Sequence, residues 1–89
     1  MTNFREYRFQ VQFRWGERMI AEYKAEGIAL YADGEWQNRL KKSYPIKSAS
    51  KEFNYCLDNM GRSCDLRLID TKSGRVLDSH TAAKRHQLN

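Results

Sequence analysis

At 89 residues the chain has room for one small domain, which buries only about 60–65% of its unfolded surface. Apolar residues make up 40% of it, and two Trp, five Tyr and four Phe must supply much of the core area. No apolar run approaches the ~20 residues of a membrane span, and residues 1–8 lack the apolar run of a signal peptide. This predicts a cytosolic protein whose two cysteines, Cys56 and Cys64, are reduced. The net charge of +5 is unevenly spread. Residues 1–36 carry five basic and six acidic side chains, whereas residues 37–89 carry eleven and five.

The first element is written in strict alternation. Tyr7, Phe9, Val11, Phe13 and Trp15 share one face of a strand, with Arg8, Gln10, Gln12 and Arg14 on the other. Such a strand predicts an antiparallel sheet with one wet face, on which that polar row meets water. Gly16 with Glu17 can turn the strand back on itself. Residues 18–26 carry two patterns. Met, Ala, Glu and Lys favour helix by propensity, and the alternation of Met19, Ala21, Tyr23 and Ala25 favours strand. The tight turn before them favours the strand. A helix there would instead imply a ferredoxin-like sandwich, the scaffold that RNA-recognition modules also use. Asp33-Gly34 is a tight-hairpin signal between residues 28–32 and 35–40.

The next element is a helix over residues 48–60. Ala49, Phe53, Cys56, Leu57 and Met60 recur at helical spacing, Ser48 or Ser50 can cap the first amides, and Gly61 is a left-handed terminator. Burial of Phe53, Leu57 and Met60 is worth ~1.5–3 kcal/mol each. A C-terminal hairpin over residues 64–79 follows, with Leu66, Leu68 and Ile69 leading into a turn at 70–74 and Val76 and Leu77 returning. The expected fold is α+β: a meander of about four strands, one helix packed on the sheet, and the hairpin, within a single domain of residues 1–80. Residues 81–89 form a basic tail that frays.

Signals for chemistry are weak. Cys56, Cys64, His80 and His86 have no zinc-knuckle spacing, Cys56 belongs to the apolar helix stripe, and Asp78-Ser79-His80 are neighbours in sequence without triad geometry. No catalytic residue, metal or cofactor is expected. The informative segment is residues 37–51, where Arg39, Lys41, Lys42, Lys47 and Lys51 occur without a carboxylate, beside Trp36 and Tyr44. Cations interleaved with aromatic rings suit an anionic partner. Arg39, Lys41, Lys42, Tyr44 and Lys47, supported by Arg8 and Arg14, are the candidate binding residues. Lysines on a strand edge also serve simply to block edge-to-edge pairing.

The chain is short, aromatic-rich and built from tight hairpins, and its residues 68–77, Leu-Ile-Asp-Thr-Lys-Ser-Gly-Arg-Val-Leu, resemble the closing hairpins of small phage and mobile-element accessory proteins. The likeness is one of type. It implies a non-enzymatic binder, of anti-CRISPR or other anti-defence kind, that occupies a functional surface of a host protein or nucleoprotein complex. The alternative is a DNA- or RNA-binding module using the same basic residues. No membrane partner is expected, and exposed strand edges allow a homodimer.

Overall fold

A computed structural model describes residues 6–28 and 34–82. Their elements are β1 (Phe9–Trp15), α1 (Glu17–Ala25), β2 (Gln37–Asn38), α2 (Ile46–Met60), β3 (Cys64–Asp70) and β4 (Val76–His80). The strands form one sheet in the order β2-β1-β3-β4, and every neighbouring pair is antiparallel. The fold is therefore α+β, but the described residues hold two helices where the sequence predicts one, and four strands including the hairpin where it predicts a meander of about four strands before it.

The alternation in β1 sets the layers. Val11 is fully buried, and Phe9, Phe13 and Trp15 pack against the same core. In β3 the alternation continues through Cys64, Leu66 and Leu68, which the register brings opposite Trp15, Phe13 and Val11. The amphipathic α2 lies across β1 and β3. Ala49, Phe53 and Cys56 are buried there, Leu57 and Met60 flank them, and Lys51, Asn54, Asp58 and Asn59 face solvent as expected. Tyr7 falls before β1 and is 63% exposed, so the apolar row begins at Phe9.

Residues 18–26 are helical, against the expected strand. A strand paired to β1 through a turn at Gly16 would need a free edge of β1, and both edges are taken: β3 holds one, β2 and Tyr44 the other. Local propensity then prevails, helped by Glu17 in the first turn, Lys24 in the last, and an Arg18–Glu22 ion pair at 2.8 Å one turn apart. Gly16 is the N-cap of α1 and makes no hairpin. Its N–H donates to Ser63 O at 2.7 Å, and a Cβ there would lie 2.7 Å from Ala82 Cβ and 2.9 Å from Ser63 O. That close approach is what requires glycine.

Two expected details of α2 also change. The helix begins at Ile46 behind Pro45, with no side-chain cap, so Ser48 and Ser50 lie inside it. Gly61 is right-handed (φ −66°, ψ −21°). Its lack of a side chain serves space instead, since a Cβ would come within 2.6 Å of Leu57 O and 3.1 Å of His80 Nε2. The hairpin of β3 and β4 forms as expected, with an irregularity between Leu68 and Ile69. Its turn is held by Asp70, whose Oδ1 accepts from Lys72 N–H at 2.9 Å while its carbonyl accepts from Gly74 N–H at 2.7 Å. Of the expected tail, Thr81 is exposed and Ala82 is buried, donating its N–H to Asp65 Oδ1 at 2.8 Å; residues 83–89 lie outside the described residues. The hairpin expected around Asp33-Gly34 has its first strand outside them too, and residues 35–40 supply only the two-residue β2.

Beyond β2 the edge of the sheet is interrupted. Arg39 N–H donates to Val11 O at 2.8 Å, and Phe9 and Tyr44 exchange two backbone bonds at 2.8 and 2.9 Å. Residues 40–43 therefore stand opposite Gln10 alone and are pushed out of the ladder. Gln10, expected on the wet face, is only 3% exposed because its side chain fills that gap. Its Oε1 accepts from Leu40 N–H at 2.9 Å and Val11 N–H at 3.0 Å, and its Nε2 donates to Leu40 O and Lys42 O at 3.3 and 3.4 Å. One amide thus stands in for missing ladder bonds on both strands. Gln10→Ala orphans these groups. It is expected to lower unfolding free energy in urea titration by about 2 kcal/mol or more, against under ~1 kcal/mol for Gln12→Ala on the same face.

Candidate functional site

The bulge that Gln10 fastens carries Lys41 and Lys42 outward, and Lys47 and Lys51 follow one turn apart on the exposed side of α2. All four are exposed, and none has an ion-pair partner among the described residues. The Lys42 ammonium lies 5.7 Å from the centroid of the half-buried Tyr44 ring. Lys41, Lys42 and Tyr44 thus lie at one edge of the sheet, and Lys47 follows in the first turn of α2.

The candidate arginines are engaged within the fold. Arg39 Nε binds Glu52 Oε2 on α2 at 2.9 Å, which raises the guanidinium pKa and ties the start of the bulge to the helix. Arg8 sits at the Tyr44 end of β1. Its Nε and Nη2 grip Asp70 as a fork at 2.8 and 2.6 Å, and its Nη1 reaches Glu6 at 2.8 Å. Thr71 binds Arg8 O through both its N–H and its hydroxyl, and Ser43 Oγ lies 3.3 Å from that hydroxyl. Arg8 is therefore the joint between the bulge, β1 and the β3–β4 turn. Arg14 lies six residues further along β1, roughly 20 Å away at strand rise. It belongs to a different surface.

That second surface is the sheet face opposite α2. Arg14 Nε binds Asp65 Oδ2 at 2.9 Å, and its guanidinium carbon lies 4.4 Å from the centroid of Trp36. Arg67, which sequence reasoning passed over, lies 4.2 Å from the same centroid. Its Nε donates to Gln12 Oε1 at 2.8 Å, and Gln12 Nε2 donates to Asn38 Oδ1 at 2.8 Å. Burial, and secondarily the charge of Arg14, lower the Arg67 pKa. The alternation Leu66-Arg67-Leu68 already puts Arg67 on the wet side of β3. Only the register reveals that Gln12 and Trp36 are its neighbours.

Cys56 and Cys64 are free and buried, and burial pushes both thiol pKa values up, the direction opposite to an activated nucleophile. His80 Nε2 lies 2.7 Å from Gly61 O at the end of α2. A cleft of about 690 Å³ opens there, lined by residues 57–63 with His80 and Thr81. No cluster of three metal-ligating side chains occurs among the described residues, and no helix among them is long and apolar enough to cross a membrane. No protein-family model matches the chain, and neither a curated protein nor a solved structure matches it.

The Arg8–Asp70 fork holds the Asp70 carboxyl below the usual carboxylate range, with backbone donors of the turn assisting. Above about pH 4, the ordinary aspartate value, Asp70 is ionised whether folded or not, and the fork contributes fully. As pH falls from there through the lower folded value, the unfolded chain takes up the proton first and that contribution is lost. Asp70→Asn is expected to lower the urea midpoint at pH 7 and to flatten its decline below pH 4, read from urea titrations at stepped pH.

Proposed function

We propose that the chain is a non-enzymatic binding protein that occupies a functional surface of a protein or nucleoprotein partner through its lysine-bearing edge. The observation that carries this reading is the bulge at residues 40–43. Gln10 holds its backbone from below, so Lys41 and Lys42 project from a fixed support and lose less freedom on binding than lysines on a loose loop. The same edge shows a cost borne without local return. The first turn of α2 has no acidic residue and no side-chain cap, yet Lys47 stands at its positive end. An anionic partner surface would relieve both the helix terminus and the four ammonium groups that have no ion pair among the described residues.

Tyr44 supplies the aromatic anchor, and Arg39 and Arg8 brace the edge from behind through Glu52 and Asp70. An inhibitor or modulator of a host machine in the cytosol, of the kind phages and mobile elements carry, is a form this activity would take. The charge of the edge argues against mimicry of nucleic acid and for contact with an acidic surface.

A tagged protein is the direct test. Lysate capture with and without nuclease is expected to retain one nuclease-resistant partner. Lys41→Glu combined with Lys42→Glu is expected to reduce capture at least tenfold while leaving the thermal midpoint within about 2 °C, because both side chains are exposed and have no ion pair among the described residues. Undiminished capture by the double variant removes this edge as the binding surface.

A further inference from the structure

We propose that the sheet face opposite α2 is a separate binding surface for single-stranded nucleic acid, with Arg14 and Arg67 taking a phosphate and Trp36 supporting a stacked base. This surface is the sheet face rather than the bulged edge, and it does not depend on what that edge binds.

The argument starts from register. Asn38, Gln12, Arg67 and Ser79 are paired neighbours across all four strands, so they form one row on the face opposite α2. Arg14 and Asp65 form the next row, with Trp36 beside them. Ile69 and Val76 are paired on the other side, and Val76 is 46% exposed. α2 covers the opposite face, and α1 buries none of its residues.

Charge complementarity selects the occupant. Two guanidiniums converge on one indole, and the paired rows hold one carboxylate, Asp65, which binds Arg14 and the Ala82 amide. Arg67 has no acidic partner among the described residues. Each guanidinium is oriented through its Nε, Arg14 by Asp65 and Arg67 by Gln12. Two guanidiniums near one indole suit a phosphate oxygen pair better than one ammonium would. Bringing two like charges together costs energy that an anion between them returns.

Stacking chemistry distinguishes a nucleic acid from an acidic peptide. The indole and the guanidinium planes are flat surfaces on which a base stacks, and a carboxylate side chain gains nothing from them. The Gln12 and Asn38 amides alongside add donors and acceptors at the edge of such a base, and the Ile69–Val76 pair adds apolar contact for its neighbour. A duplex keeps its bases stacked on each other, so the unpaired strand is the form that fits.

The test is fluorescence anisotropy with a labelled 12-nucleotide mixed-sequence strand, as DNA and as RNA, against the matching duplex and a labelled polyglutamate peptide, over a salt series. The full chain is expected to bind one of the single strands more tightly than the duplex or the peptide. Trp36→Leu is expected to weaken that binding about 5- to 100-fold. Arg67→Gln is expected to weaken it and to reduce the salt slope by about 0.7. The Lys41→Glu, Lys42→Glu protein should keep its dependence on Trp36 and Arg67. Circular dichroism melting checks each variant, and Arg67→Gln decides the matter should Trp36→Leu fail to fold. The proposal is overturned by absent binding at low salt, by equal affinity for polyglutamate or duplex, or by binding indifferent to Arg67. Binding that depends on Lys41 and Lys42 alone also overturns it, while leaving the lysine edge standing.

Discussion

A single amphipathic helix can roof only one side of a four-stranded sheet, and everything else about this molecule follows from that constraint. The Ala49–Phe53–Cys56 stripe of α2 closes over Val11, Leu66 and Leu68, and with Cys64 these residues form the buried apolar cluster among the described residues. Among the described residues the opposite face gets no second apolar layer. Its side chains must satisfy one another while remaining near water, and they do so with amides, guanidiniums and one indole: Asn38 to Gln12, Gln12 to Arg67, Arg67 and Arg14 to Trp36. A thin domain thereby presents a broad, polar, weakly covered surface, which is more useful for contact with a large partner than for enclosing a small one.

Gln10 links the fold to the surface. In a regular ladder its side chain would point to solvent and residues 40–43 would pair with β1. Instead the edge strand carries extra residues, and the amide of Gln10 is consumed in supporting them. The extrusion also breaks the edge, so that β2 and Tyr44 present no long flat ladder to another chain. The same bulge therefore protects against edge pairing and displays Lys41 and Lys42. The two roles are compatible because both need charge held outward on a fixed backbone.

Legibility in the sequence varied with the range of the determining interactions. The α2 stripe and the β3–β4 hairpin were readable because helical and alternating periods are local, and Asp70 with Gly74 marks its own turn. Residues 18–26 were misread because two local signals competed and the deciding fact was non-local: β1 had no edge left for them. Gly16 and Gly61 were recognised as special for the wrong reason. Both sit at negative φ and are needed for close approach to Ala82, Ser63, Leu57 and His80, none of which their immediate neighbours announce. Among the candidate site residues, Lys41, Lys42 and Lys47 are exposed, whereas Arg8, Arg14 and Arg39 have carboxylate partners 13 to 62 positions away.

By itself the chain determined its α+β class, the apolar sides of β1, β3 and α2, and the cationic bias of residues 37–51, because burial period and charge are properties of short segments. Tertiary structure alone decided that α1 is a helix, that Gln10 is interior, and that Arg14, Trp36 and Arg67 meet. The physical reason is register. Which wet-side residues become neighbours depends on how strands align across a sheet, and a linear pattern contains the period of each strand without its offset from the next.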